Sequence, residues 1–507
     1  MRNRVANDTP GALRPPPAGN ETSPLVLDGE VPLAAVLTLP GGGVASELGV
    51  VICAPLGHQN VCTYRPLRTL AERIADRGVP VLRFDWPGYG DSADPAPAGD
   101  ALELWLSSIR SALATLRTET GVAEVALVGL RIGATLALIE ASRSGEIARL
   151  VLLAPHLRGR GYLRELAAFE AVAARSLFKA APQAPPPLPE GSFETGGFLF
   201  SASERLALEA IDLRTLTPEA HVPARVLIAA IEAEPPLEAL GAQLAERGAS
   251  VATRILPGLA RTWDSSQRSL MPPECSGLIV DWLLEGVAPQ PPRPVPVRQL
   301  PAVLRLEQGA IQEQTTLLDT PSGRLFAVTC GPSEPVASGE DWVVFLNTGR
   351  IRRGGTSRLS TIWARRWARA GVSSLRLDVR GVGDADGVGV GDESLVEDPL
   401  ASYTPAVLDD VRGALAWLVE RHGAKRFMVV GLCSGATIAY QLALAEPRVV
   451  GAGLINTPAW YWDDRLRELN AWRQARVGGV APYALMRSAR TRGRACRSGR
   501  SRVPCGR

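Results

Sequence analysis

The chain has 507 residues, 46% of them hydrophobic and 21% charged, with a formal net charge of +3. That length is too great for one ordinary core, so two units of roughly 250 residues are expected, and so weak a charge excludes an electrostatically driven nucleic-acid partner. The charge is also unevenly placed, because Arg487–Arg507 holds eight Arg and no acid and leaves 3 − 8 = −5 on the remainder.

Residues 1–23, with Pro15-Pro16-Pro17 among Gly, Asn and Thr, read as a disordered leader. Pro24–Leu27 and Val31–Leu39, joined by Asp28-Gly29, predict an antiparallel hairpin. Leu48–Ala54 is a continuous apolar run, as in strands buried on both faces. Helix and strand then alternate: helix Leu67–Asp76, strand Val79–Phe84, helix Leu102–Leu116, strand Val125–Val128, helix Ala134–Ala141, strand Leu150–Leu153. Such alternation predicts a mostly parallel sheet flanked by helices. Residues 157–223 interrupt it with helical stretches around the Pro-rich run Pro182–Pro189, in a place that suits a lid. Alternation resumes with strands Ala224–Ala230 and Val251–Ile255 and closes with a helix, Gly277–Leu284, so a first unit spans 24–287. Residues 288–311 are Pro-rich and predict a stiff linker. A second unit over 312–475 restarts the pattern with strands at Gln312–Leu318, Leu325–Thr329 and Trp342–Leu346.

Seven Cys are scattered without metal or disulfide spacing, as in a chain kept in a reducing compartment. The N-terminus has no apolar core of a signal peptide, and no run approaches a membrane span. A cytoplasmic protein with no metal and no cofactor is expected.

The two units repeat one another. Ala71–Asp91 aligns without a gap on Ala364–Asp384, sharing A-x-R-x-A-x-x-G-V-x-x-L-R-x-D-x-x-G-x-G-D. Further on, Val128-Gly129-Leu130-Arg131-Ile132-Gly133-Ala134-Thr135 answers to Val430-Gly431-Leu432-Cys433-Ser434-Gly435-Ala436-Thr437. Each follows a strand and opens an Ala-rich helix, the context of a G-x-Nuc-x-G nucleophile elbow. The flanking Gly129, Gly133, Gly431 and Gly435 mark a turn in which a neighbouring Cβ would collide with strand or helix. The middle residue, which should attack a carbonyl, is Arg131 in one copy and Cys433 in the other.

These residues, with Asp85-Trp86-Pro87-Gly88-Tyr89-Gly90-Asp91-Ser92 and Asp378-Val379-Arg380-Gly381-Val382-Gly383-Asp384, resemble the α/β-hydrolase superfamily. The first unit, through its elbow and Gly159-Arg160-Gly161-Tyr162-Leu163-Arg164-Glu165-Leu166, resembles serine-aminopeptidase-like hydrolases associated with bacterial exosortase systems. The resemblance implies two tandem α/β-hydrolase domains, a helical lid in the first, and acyl transfer by nucleophile, acid and His over an oxyanion hole of backbone N–H groups.

In the first unit a guanidinium cannot serve as nucleophile. Placed at a helix N-terminus, Arg131 needs an anion, expected to be Glu232, Glu234 or Asp264, or else a bound ligand. The region after Val251–Ile255 has no His, and the four His of the chain are His58, His156, His221 and His422. The first unit is therefore expected to be non-catalytic. In the second unit Cys433 is the expected nucleophile, since a helix N-terminus favours a thiolate. The resemblance implies Ser434 N–H as one oxyanion donor, its side chain turned away into the helix, and the Thr348-Gly349 loop as the other. Arg350, Arg352, Arg353 and Arg358 follow among glycines; they read either as a solvated basic loop or as an anion site for the phosphate of a coenzyme A or carrier-linked acyl group. Residues 476–507 supply neither the acid nor the His that the family requires, so the second domain is expected to be incomplete, ending either in a natural basic tail or in out-of-frame sequence. The expected function is hydrolysis or transfer of an acyl group on a small ester, thioester or amide. The competing expectation is a catalytically inactive pseudo-hydrolase that acts as a binding or scaffold protein. Oligomeric state is not legible.

Overall fold

The computed structural model describes residues 19–96, 99–177, 187–215, 220–295, 302–320, 323–334, 340–386 and 405–458. Most of the expected leader and all of the expected tail, 476–507, lie outside these. The chain opens with β1 (Glu21–Leu27), β2 (Leu33–Leu39), β3 (Leu48–Cys53), α1 (Gly57–Ala75), β4 (Val81–Phe84), α2 (Ala101–Thr120), β5 (Glu124–Leu130), α3 (Ile132–Ser144) and β6 (Arg149–Leu153). The segment read as a lid holds α4 (Gly159–Leu177), the ribbon β7 (Phe193–Thr195) and β8 (Phe198–Phe200), and α5 (Ala202–Ala210). Then come β9 (Arg225–Ala230), α6 (Pro235–Glu246), β10 (Ser250–Ile255) and α7 (Pro273–Leu284). The sheet order is β1-β2-β4-β3-β5-β6-β9-β10, antiparallel only at the β1–β2 and β2–β4 pairs.

This sheet is buried on both sides, and alternate residues say so. Val51, Cys53, Val125 and Leu127 pack into one apolar cluster, while Val50, Ile52, Ala126 and Val128 pack into another on the opposite face. A continuous apolar run satisfies both faces at once. Helix ends are set locally: Asp100 accepts the Leu102 and Glu103 amides at 3.0 and 3.1 Å, and Gly121 closes α2 at φ 66°.

A second sheet is built from β11 (Ala302–Leu306), β12 (Ile311–Thr320), β13 (Gly323–Pro332), β14 (Asp341–Phe345), α8 (Leu359–Arg369), β15 (Ser373–Asp378), α9 (Pro405–His422), β16 (Arg426–Leu432), α10 (Ser434–Ala445) and β17 (Val449–Ile455). Its order is β11-β12-β13-β15-β14-β16-β17. Two boundaries differ from the sequence reading. β1 begins inside the expected leader, because an edge strand tolerates Pro24. β11 lies inside the expected linker: Leu304 and Leu306 alternate inward and the strand pairs with β12, a short signal overshadowed by the prolines before it. Part of that linker is also docked, since Arg293 and Val44 exchange both backbone hydrogen bonds at 2.9 Å.

The two sheets' units meet through buried charge. Arg353 lies between Asp91 of the first unit at 2.8 Å and Asp378 and Asp384 of its own at 2.6 and 3.0 Å. Arg352 reaches Asp85 at 2.5 Å, and Arg83 reaches Asp384 at 2.8 Å. Arg376 bridges Asp91 and Glu313, and Arg365 holds the other oxygen of Glu313 at 2.8 Å. Tyr64 donates its hydroxyl to Asp384. All ten charged groups are buried, five guanidinia against five carboxylates. Burial opposes the ionisation of Asp91 and Asp384, yet the guanidinia around them outweigh it and hold both carboxyls far below the usual range. At Asp378 burial wins, and its carboxyl is pushed up.

Breaking one such pair leaves an uncompensated buried charge, so Asp91→Asn is expected to cost about 3–5 kcal/mol, read from urea midpoints at pH 7. The sign of the pH dependence follows from the depressed carboxyls. Asp91 and Asp384 favour the folded state above the unfolded value near 3.9, and that contribution is lost as pH falls from there toward their folded values. Urea midpoints of the wild type should therefore fall steeply below about pH 4, and less steeply in Asp91→Asn.

Candidate active site

In each sheet the strand beside β3 or β14 turns into a helix through the same sharp bend. Arg131, which caps α3, has φ 57° and ψ −124°; Cys433, which caps α10, has φ 53° and ψ −118°. Side-chain-bearing residues avoid this region at a cost of roughly 1–3 kcal/mol. The surroundings enforce it. The Arg131 amide donates to Leu153 O and the Cys433 amide to Ile455 O, both at 2.9 Å. A Cβ on Gly133 would lie 2.4 Å from the carbonyl oxygens of Cys53 and Ala54, and one on Gly435 2.6 Å from that of Asn347. One on Gly129 would meet Ala134 Cα at 2.3 Å, and one on Gly431 the Gly435 carbonyl at 2.1 Å. The glycine spacing in the sequence thus has a steric cause at both bends.

At the first bend Arg131 is buried and donates from Nη2 to both carboxylate oxygens of Glu165, at 2.6 and 2.5 Å. Its guanidinium also lies over the Trp263 ring, 4.7 Å from the centroid. This corrects the expected partners. Glu232 and Glu234 are exposed, and Asp264 pairs with Arg268 at 3.0 Å. Glu165 prevails because α4 crosses the strand ends and lowers it onto the bend. It stood within the Gly159–Leu166 stretch of the resemblance, but sequence alone does not say which face of that helix looks down. Gln59 Nε2 donates to Glu165 Oε1 at 2.9 Å, and His156 Nε2 lies 3.8 Å from Oε2. Burial raises the Glu165 carboxyl, but Arg131 and then His156 bring it below its ordinary value.

At the second bend Cys433 is half-buried. Ser434 does not turn away into the helix: its Oγ accepts the Gly349 N–H at 2.6 Å. The Gly349 amide is therefore already engaged, which leaves Thr348 as the loop's candidate oxyanion donor beside the Ser434 amide. Asn347, not singled out by the sequence, braces this loop. Its Oδ1 accepts the Val379 N–H at 3.1 Å and its Nδ2 donates to Ile351 O at 3.1 Å. The anion-site expectation fails for Arg352 and Arg353, whose charges are consumed by Asp85, Asp91, Asp378 and Asp384; Arg358 is likewise paired, with Asp94. Arg350 is half-buried in the same loop.

Among the described residues no His stands beside Cys433. His58 stacks on Phe169 and lies 3.3 Å from Cys62 Sγ, and burial lowers its pKa. His221 packs over Gly145. His422 sits against Trp342 and Trp417, and Trp342 pairs with Phe427 at the start of β16. Cys433 follows the other end of that strand, about 20 Å away at the usual rise.

The family described as serine aminopeptidase, S33, matches residues 57–234, from the start of α1 through the bend at Arg131 and the lid to the end of β9. That stretch, about a third of the chain, is similar to the serine-aminopeptidase-like α/β-hydrolases. The first 250 or so residues accordingly carry the α/β-hydrolase fold, with the mostly parallel sheet described above. Among solved structures, Est1E from Butyrivibrio proteoclasticus is 18% identical over 52% of this chain and 98% of its own, with a TM-score of 0.35. An esterase of Pyrococcus furiosus is 15% identical over 56% and 96%, with a TM-score of 0.36. An α/β serine hydrolase without lid from Xanthomonas campestris is 17% identical over 55% and 100%, with a TM-score of 0.34. No curated protein matches the chain in sequence.

At the first bend Arg131 is thus a cation tied to α4. Glu165→Gln keeps the shape and removes the charge, so Arg131 would be left uncompensated; a loss of about 3–5 kcal/mol in the urea midpoint is expected. Gly133→Ala should cost about 1–3 kcal/mol by overpacking, whereas Gly161→Ala, with nothing within 4 Å of the added Cβ, should not destabilise.

Proposed function

We propose that the chain is an acyl hydrolase or acyltransferase of the α/β-hydrolase kind, acting on a small ester, thioester or amide through Cys433. In this reading the second sheet belongs to a tandem copy of the first domain. Strand order supports that: β12-β13-β15-β14-β16-β17 repeats β1-β2-β4-β3-β5-β6, and the equivalents of β9 and β10 are missing from the described residues. The first domain, with Arg131 tied to Glu165, is a non-catalytic copy.

The observation that carries the reading is the bend at Cys433. It presents a half-buried thiol at the N-terminus of a twelve-residue helix, held on the same strained bend as Arg131. Attack of that sulfur on a substrate carbonyl forms a C–S bond and a tetrahedral oxyanion, which the Ser434 and Thr348 amides would receive. Collapse expels the alcohol, thiol or amine and leaves a thioester on Cys433, from which water or another acceptor takes the acyl group. With no His beside the thiol among the described residues, slow turnover is expected, because loss of a triad member costs several orders of magnitude.

A second reading has its own support. The Gly349 amide is occupied by Ser434, and the loop arginines are spent on the first domain. Both suit a pseudo-hydrolase that binds or scaffolds without turnover. Thiol chemistry separates the two. Burial pushes the Cys275 and Cys62 thiols up to about 11 and about 12, and raises those of Cys53 and Cys330 further. Iodoacetamide at pH 7 with peptide mapping should label Cys433 well ahead of the buried Cys53, Cys62, Cys275 and Cys330, and Cys433→Ala should abolish any hydrolysis of a p-nitrophenyl ester. Labelling of Cys433 no faster than a free cysteine would leave the scaffold reading standing.

A further inference from the structure

The contacts between the two halves are reciprocal. Adding 293 to a first-half number gives its aligned counterpart, since Asp85 corresponds to Asp378, Arg83 to Arg376 and Asp91 to Asp384. Arg83 binds Asp384, and its counterpart Arg376 binds Asp91. Arg68 donates to the carbonyls of Gly383 and Ala385 at 2.7 and 2.9 Å. Arg358, which aligns with Arg65 and not with Arg68, donates to Gly90 and Ser92 at 2.9 and 2.6 Å, so the acceptor oxygens correspond although the donors do not. Such mutual exchange is the signature of a two-fold, isologous interface, here within one chain.

The symmetry is incomplete. Arg352 and Arg353 have Gln59 and Asn60 as counterparts, and these stay inside the first half, on Glu165 and on the Pro55 carbonyl. The second half sends Arg352 and Arg353 across to Asp85 and Asp91, and Arg365, whose counterpart is Glu72, to the Asp91 and Ser92 carbonyls. Arg352 and Arg353 stand three to five residues beyond Thr348 and Gly349, on the loop whose Gly349 amide holds Ser434 next to Cys433. The same loop touches the first half's lid ribbon, where Ser357 Oγ donates to Gly196 O at 3.2 Å. Reciprocal contacts hold the halves together, and among the unreciprocated ones those of Arg352 and Arg353 fix this loop.

We propose that the first half is the positioning partner of the second half's site: Asp85 and Asp91, acting through Arg352 and Arg353, hold the loop that presents the oxyanion donors beside Cys433. This deepens, and rests on, the reading of Cys433 as the nucleophile. It gives the domain without a nucleophile a chemical task, since oxyanion stabilisation depends on donors fixed in advance. Asp85 and Asp91 are positioning residues and touch no reacting atom.

The test uses the full chain and compares wild type with Asp85→Asn. Amide hydrogen exchange should quicken about ten-fold through residues 348–358 while β5 and β6 keep their protection. Cys433 alkylation should change in the same variant and not in Asp281→Asn, an exposed acid far from this contact, on α7. Unchanged exchange through 348–358 in a folded Asp85→Asn protein overturns the proposal. If β5 and β6 also lose protection, Arg352→Lys decides, since it keeps the buried charge and shortens its reach to Asp85. Faster exchange confined to 348–358 then supports the proposal, and no change overturns it. The exchange readout does not require Cys433 to react, so an inert thiol with a loosened loop sinks the catalytic reading alone.

Discussion

Eleven buried charges, six guanidinia and five carboxylates, stand where the two halves meet, and the loop beside Cys433 runs back to them. Taking so many ions out of water yields little net stability even when every pair is well made, because desolvation offsets most of the Coulombic gain. Its effect is selective. An arrangement in which every guanidinium has its carboxylate tolerates only one register of one half against the other. Apolar contact accompanies it: Val36 packs with Phe326 and Val328, and Ala93, Val26 and Val31 pack with a cluster that includes Leu304, Leu306 and Ile311. The charges specify register within that contact.

The bends at Arg131 and Cys433 separate shape from chemistry. Both hold a side-chain-bearing residue in the same sparsely populated conformation, within a few degrees of each other, although one of the two residues cannot attack a carbonyl. The conformation is therefore a property of the strand–helix junction, imposed by four glycines and two backbone hydrogen bonds. Chemistry is decided one atom layer further out. Over Arg131 the lid supplies a carboxylate. Beside Cys433 a serine hydroxyl fills the place that an empty loop amide was expected to keep.

Much of this was legible in the sequence, where cause is local. The glycines of both bends, the Asp turns, the alternation of strand and helix and the fully buried strands each follow from neighbours a few positions away. What sequence did not reveal depends on facing surfaces. Glu165 was in view as part of a motif, but its partner was set by how a lid helix lies. Arg352 and Arg353 read as a basic loop because Asp85 and Asp91 are more than 250 positions away, and because Asp378 and Asp384, 25 and 31 positions from Arg353, meet it only in the fold. β11 was hidden by the prolines before it, since five alternating residues are a faint signal until a neighbouring strand selects them.

The docking of Arg293 against Val44 has a consequence for how the halves find one another. From that backbone staple to the start of β11 the chain runs from 293 to 302, a reach of about 30 Å when fully extended. A partner on so short a tether is present at an effective concentration in the millimolar range or above. An interface of buried ion pairs, too weak in net terms to gather two free proteins from dilute solution, needs only to choose an orientation here. The staple supplies proximity, and the charges supply register.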